Sequence, residues 1–167
     1  MPLVAFEELP DESRLWVFGI DRALGQQEQK MFLQAVDQFL ETWVSHGVPL
    51  RSGRDWRRSH FLLIGVDDSS MPPSGCSIDA MIRVLKVQED ALGVEILDSS
   101  PVWFLDEGEI RRLSRKDFGN LARNGVVGPD TVVFDNTVTC LKEERSGCWE
   151  RPAGESWHRR AFLSHLA

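Results

Sequence analysis

A chain of 167 residues is long enough for one domain, or two small ones, with a buried core. Hydrophobic residues make up 42% and charged residues 27%, as in ordinary globular proteins. The net charge of −7 speaks against work through nucleic-acid phosphates or on an anionic membrane surface, both of which need a basic face.

The opening MPLVAFEELPDES has no basic segment and too short an apolar run for a secretory signal. No stretch approaches the roughly 18 apolar residues of a membrane span, so a cytoplasmic location is expected. Residues 14–20, RLWVFGI, read as a short buried strand. Residues 25–47 follow, with Met31 and Phe32, Ala35 and Val36, Phe39 and Leu40, Trp43 and Val44 in pairs every four residues. That is the stripe of an amphipathic helix, with His46 at its end and Gly47 as its stop. The basic cluster Arg51, Arg54, Arg57 and Arg58 reads as a solvated loop or helix edge. HFLLIGV, residues 60–66, repeats the strand signal. A second helix is expected over residues 77–93, with Ser77 as N-cap, Asp79 suiting the positive end, Ile78, Met81, Ile82 and Leu85 inward, and Gly93 closing it. VEIL, residues 94–97, reads as another strand.

WVFGID and LLIGVD share one pattern of apolar residues, glycine and aspartate, each ahead of a loop and a helix. Two βα units would account for the echo and predict at least partly parallel pairing. Asp21, Asp67 and Asp68 would then share one sheet edge, where α/β proteins bind ligands and where carboxylates hold Mg²⁺ or Ca²⁺. The simpler reading is that aspartate is a common loop starter.

The character changes at the turn-forming stretch Asp98, Ser99, Ser100 and Pro101. VWFLDEGEIRRL signals a hairpin turning at residues 106–109. SRKDFGNLARNG is a short helix capped by Ser114, with Asp117 three residues on and Gly125 closing it. GPDTVVFDNTVTCL opens with a turn and continues as a strand. KEERSG is a loop, and GESWHRRAFLSHL a closing helix with Trp157, Ala161, Phe162 and Leu166 on one face. Of the six tryptophans, Trp43, Trp103 and Trp157 read as core, and Trp16, Trp56 and Trp149 as the set that includes an exposed contact residue. His158 and His165 read as surface residues.

The fold class is therefore α+β: an N-terminal βαβα unit with a mixed sheet over residues 1–98, and a C-terminal half of hairpin, helix, strand and closing helix over residues 99–167. The two halves could equally form one continuous domain.

Cys76 stands out in PSGCSID. If Ser77 caps the helix, the thiol lies just outside the first turn, where unpaired N–H groups and the helix dipole favour a thiolate. A nucleophile needs a base, and His46 is the candidate. His60 sits at the far end of its strand, roughly 20 Å away at about 3.3 Å per residue. The same stretch reads as an anion site using Gly75 and Ser77, with Asp67 and Asp68 nearby, or simply as a small cysteine packed under the helix. Three cysteines do not make a disulfide framework, and seven residues separate Cys140 from Cys148, too many for a zinc knuckle. No metal or cofactor is expected, and there is no G-x-x-x-x-G-K-[ST] phosphate cradle.

SRLWVF, WVSHG, SGCSID and PAGESWHRRAF together resemble a family of uncharacterised bacterial proteins of about 160 residues, some labelled ABC-transporter ATPases. The resemblance implies a family but no activity. Residues 102–136, with NGVVGPDTVVF, Trp149 and Pro152, are similar to the bacterial GYF-like domains. That likeness implies an interaction module, since some such domains take proline-rich peptides on an aromatic surface. Where those domains carry Gly-Pro after the hairpin, this chain has Arg111 and Arg112; these two and Trp149 are the partner-binding candidates. The leading expectation is a non-catalytic regulatory or adaptor protein that binds another protein through its C-terminal half. The rival is a cysteine-dependent enzyme, or a binder of a small anionic ligand, centred on Cys76 with His46. A homo-oligomer is a third possibility.

Overall fold

The computed structural model describes residues 2–166. The fold is α+β, and the chain divides into two compact units: Met1–Leu97 with Thr139–Lys142, and Asp98–Val138 with Glu143–Ala167. Thr139–Lys142 joins the first unit through its backbone. Leu15 N–H donates to the Thr139 carbonyl (2.8 Å), Leu141 N–H to Ser13 (3.0 Å) and Lys142 N–H to Asp11 (2.8 Å).

The first unit runs β1 (Arg14–Gly19), α1 (Gln26–Glu41), β2 (Val44–Ser45), β3 (Val48–Pro49), β4 (Arg51–Arg57), β5 (Phe61–Asp67) and α2 (Gly75–Leu92). Its main sheet has the order β1-β5-β4. β5 is central and wholly apolar up to its last residue. Leu62, Ile64 and Val66 join Phe32, Val36 and Leu40 of α1 and Met81 and Leu85 of α2 in one core. The four-residue spacing within each helix puts those side chains on one stripe, so the helices form because that stripe has a sheet to cover.

Both main ladders are antiparallel. Arg14 lies opposite Val66 and Gly19 opposite Phe61, while Arg51 lies opposite Asp67 and Arg57 opposite Phe61. The parallel pairing expected of β1 and β5 is thus corrected. The echo failed because an unexpected strand, β4, enters the sheet just before β5 and pairs antiparallel with it on the side away from β1. Its basic residues hid it, but Arg54 forks onto Asp37 (2.7 and 2.8 Å) and Arg57 pairs with Asp55 (2.8 Å). Among the described residues the one parallel contact is the isolated bridge of Leu3 to Ser52. There the backbone comes so close that a Cβ on Gly53 would lie 2.8 Å from the Val4 carbonyl oxygen.

Two further elements differ from the sequence reading. α1 ends at Thr42, short of Gly47, and the chain turns into the β2–β3 hairpin. His46 and Gly47 form its two-residue turn with φ of 50° and 77°, the signature of a type I′ connection. Among the described residues, residues 94–97 join no ladder; the Glu89 carboxylate takes two of their N–H groups. It accepts from Ile96 (2.7 Å) and Leu97 (2.8 Å).

The second unit contains β6 (Val102–Asp106), β7 (Glu109–Leu113), α3 (Arg115–Arg123), β8 (Val132–Phe134), β9 (Glu150–Pro152) and α5 (His158–Phe162). A short helix, α4 (Leu141–Arg145), replaces part of the expected KEERSG loop. The antiparallel sheet has the order β7-β6-β8-β9. The hairpin turns at Glu107 and Gly108, both with positive φ, and Ser114 caps α3 by accepting from Asp117 N–H (3.1 Å). Phe118 packs edge-on against Phe104 and Phe162, each at 5.1 Å, in the middle of this core.

The expected closing helix is broken into a 3₁₀ turn at Ala153–Glu155, α5, and a second 3₁₀ turn at Ser164–Leu166. Gly154 N–H donates to the Pro129 carbonyl (2.9 Å) and Ala153 N–H to Thr131 (2.7 Å). Those bonds hold residues 153–154 against the 129–131 turn and prevent a continuous helix. The break turns His158 inward, so the surface position expected for it is wrong: it is 1% exposed. Among the described residues no helix is long and apolar enough to cross a membrane.

Candidate functional site

In the first unit, the N-cap of α2 is Ser74, three residues before the Ser77 expected. Ser74 Oγ accepts from Ser77 N–H (3.1 Å), and Ser77 Oγ donates to the Ser74 carbonyl (2.7 Å). Cys76 is consequently the second residue of the helix rather than a residue outside it. It is exposed and unbridged.

Two bonds bring the β2–β3 hairpin to this helix end. Ser74 N–H donates to Ser45 Oγ (3.1 Å), and the buried Trp43 indole N–H donates to the Ser77 carbonyl (2.8 Å). Cys76 and His46 therefore line one open groove of about 420 Å³, together with Phe39, Trp43 and Val44. The sequence placed His46 at a helix end, yet the hairpin turn delivers it to the thiol's groove all the same.

The anion-site residues are not so disposed. Ser77 is 4% exposed, and both its amide and its hydroxyl are already bonded to Ser74; Gly75 is exposed but has no polar side chain to add. Asp67 is occupied by its own turn. It accepts from Ser69 Oγ (2.7 Å) and Ser69 N–H (3.2 Å) and meets Arg51 at 3.3 Å, and the Ser69 bonds hold its carboxyl below the ordinary value. Asp68 follows it, half-buried. Asp21 lies beyond the opposite end of the antiparallel β1–β5 pair, where it accepts from Glu95 N–H (3.0 Å). The shared carboxylate edge therefore does not exist. Among the described residues no group of three histidine, cysteine or acidic side chains is placed to hold a metal ion.

In the second unit, Arg111 on β7 pairs with Asp106 (2.7 Å) and lies over the Phe104 ring at 5.7 Å. Arg112 lies over Trp103 at 5.7 Å. Trp149, expected as a contact residue, is 4% exposed. Its ring packs 5.2 Å from Phe134 and its indole N–H donates to Asn136 Oδ1 (2.9 Å), so it is core and presents no face to a partner.

The sequence reading missed a cleft in this unit. A cleft of about 1040 Å³ is lined by Pro129 and Asp130, by Pro152 and Glu155, and by Trp157, Arg159, Arg160, Leu163 and Leu166. Trp157 is half-buried and firmly held. The Arg115 guanidinium lies over its ring at 4.8 Å, the His158 ring stacks at 3.9 Å, and its indole N–H donates to Asp135 Oδ1 (3.1 Å). His158 Nδ1 lies 2.6 Å from Ser156 Oγ. Burial pushes His158 down to about 4, with Asp135 opposing and Arg115 reinforcing. The sequence signal for this cleft was the run WHRR, an aromatic residue beside two arginines.

No family model, curated protein or solved structure matches the chain.

Proposed function

We propose that the protein is a non-catalytic adaptor that binds a partner protein through the Trp157 cleft of its second unit. The observation that carries this reading is the cleft itself: a fixed tryptophan beside apolar Pro129, Pro152, Leu163 and Leu166, with Arg159 and Arg160 exposed alongside. An aromatic anchor bordered by arginines has the composition of a protein-contact surface. The likeness of residues 102–136 to GYF-like interaction domains supports the same direction. The partner-binding surface moves accordingly from Arg111, Arg112 and Trp149 to the cleft.

The test compares what the wild-type chain and an Arg159→Glu/Arg160→Glu variant retain from native lysate. A stoichiometric partner held by the first and lost by the second supports the reading. A lysate yielding no partner, or one held equally by both, counts against it.

A second reading is favoured by a separate observation, the groove shared by Cys76 and His46. An exposed thiol in the first turn of an 18-residue helix, with an imidazole lining the same groove, is the beginning of a thiol-dependent site. Among the described residues the groove has no other ionisable side chain, and Ser77 is committed to its cap, so a thiol reaction suits it better than anion binding.

A further inference from the structure

We infer that the cleft takes a linear peptide segment of a partner in which a large apolar side chain stands between an acidic and a basic residue. The inference rests on the adaptor reading and names the chemistry of its partner.

Glu155 and Arg159 are four apart in the sequence, the spacing at which opposite charges pair on a continuous helix. Here the helix is broken between the 3₁₀ turn Ala153–Glu155 and α5, and among the described residues the two do not pair. Arg160 and Asp130 also form no ion pair among the described residues. The break thus leaves two cations and two carboxylates on one cleft without ion-pair partners among the described residues.

Their placement is ordered. Asp130 and Glu155 belong to the segments joined by the Gly154–Pro129 and Ala153–Thr131 bonds. Arg159 and Arg160 belong to α5, the element that also carries the chain on to Leu163 and Leu166. One wall is acidic and the other basic, with Trp157 between them in the chain. A simple anion gains from one wall and is repelled by the other. A segment carrying both charges satisfies both, and its apolar residue covers the exposed Pro129 and Leu166 beside the Trp157 edge. The volume of about 1040 Å³ lies at the upper end for ligand pockets and accommodates several side chains. A second copy of the cleft is concave and cannot fill the first.

The experiment selects random linear peptides displayed on phage against the full chain, then measures the enriched peptides against Arg159→Glu/Arg160→Glu and Asp130→Lys/Glu155→Lys. All four positions are exposed, so both variants should unfold at the wild-type temperature. The expected peptides carry an apolar anchor between opposite charges. Each double reversal weakens them roughly tenfold, as for two exposed ion pairs turned repulsive. Changing the peptide's acid to lysine restores binding to the first variant, and changing its base to glutamate restores binding to the second. Enriched peptides without charge order, or indifferent to both reversals, overturn the inference and leave the adaptor reading standing. A self-associated chain whose dimer is lost on Arg159→Glu/Arg160→Glu overturns the inference and the adaptor reading together. No enrichment overturns the inference, and the lysate comparison then decides the adaptor reading separately.

Discussion

The Trp43 indole N–H donates to the Ser77 carbonyl oxygen across 2.8 Å of the buried interior of the first unit. It ties Trp43, two residues beyond α1, to the first turn of α2, beside the groove that Cys76 and His46 both line. Trp43→Phe keeps most of the apolar packing against Trp16 and Phe39 but removes the donor. A loss of about 0.5–1.5 kcal/mol is expected, the net range for one hydrogen bond, because the Ser77 carbonyl keeps its bond within the α2 backbone ladder. Urea unfolding checks it; a midpoint within error of wild type would show that the bond contributes nothing.

Ser74 is the residue that starts α2. Ser74→Ala removes the acceptor for Ser77 N–H and should lower stability by about 1 kcal/mol. Ser77→Ala should cost less, because its hydroxyl bonds only to a carbonyl already at the helix start. A reversed order in thermal unfolding would return the cap to Ser77.

Gly53→Ala places a methyl group 2.8 Å from the Val4 carbonyl oxygen, a backbone atom that cannot swing aside. Either the N-terminal segment leaves the edge of β4 or the strand shifts. Overpacking of this kind costs about 1–3 kcal/mol. Hydrogen exchange should show faster exchange of Val4 and Ser52, whose N–H groups donate to Ser52 and Pro2 carbonyls in the wild type.

His158 makes stability depend on pH in a definite window. Its ordinary value is 6.5 and its folded value about 4, so the folded chain binds fewer protons between those limits than the unfolded chain does. Stability is constant above pH 6.5, falls as pH drops from 6.5 towards 4, and is flat below that as far as this group is concerned. The gap corresponds to about 3 kcal/mol. The groups facing it are Asp135, which opposes the shift, and Arg115, which strengthens it. Urea unfolding at a series of pH values should show this slope in the wild type and its loss in His158→Gln. A slope unchanged in the variant would assign it to other groups.

Cys76 should be alkylated in the native protein when Cys140→Ser and Cys148→Ser are in place, because its side chain is exposed. Under the thiol reading, His46→Gln slows this reaction several-fold near neutral pH. An equal rate in both proteins would reduce the shared groove to a neighbourly arrangement.

Much of the fold was legible because it depends on local chemistry. The stripe of Phe32, Val36 and Leu40, the apolar run of β5, the Ser114 cap and the Gly93 stop each carry their own signal in a few residues. β4 was not legible, because its arginines are held by Asp37 and by Asp55, and Asp37 lies on a different element. The end of α1 was missed because the apolar pairs run on through Trp43 and Val44 while His46 and Gly47 already form a hairpin turn. The broken closing helix depends on bonds from residues 153–154 to the 129–131 turn, some twenty residues away, and periodicity cannot report a distant acceptor. For the sites, the motif PSGCSID drew notice to Cys76. The cleft went unseen because it is assembled from a turn, a strand end, α5 and the two 3₁₀ turns that flank it.

The central claim is that a partner seats on the Trp157 cleft. The most direct measurement incorporates a photo-crosslinking amino acid at Arg160, which lines the cleft, or at Val87, 61% exposed on the first unit, and irradiates the full chain in its native cells. The account expects one discrete adduct from position 160, diminished when Arg159→Glu is added, and none of that mass from position 87. No adduct at 160, or the same adduct from both positions, would contradict it.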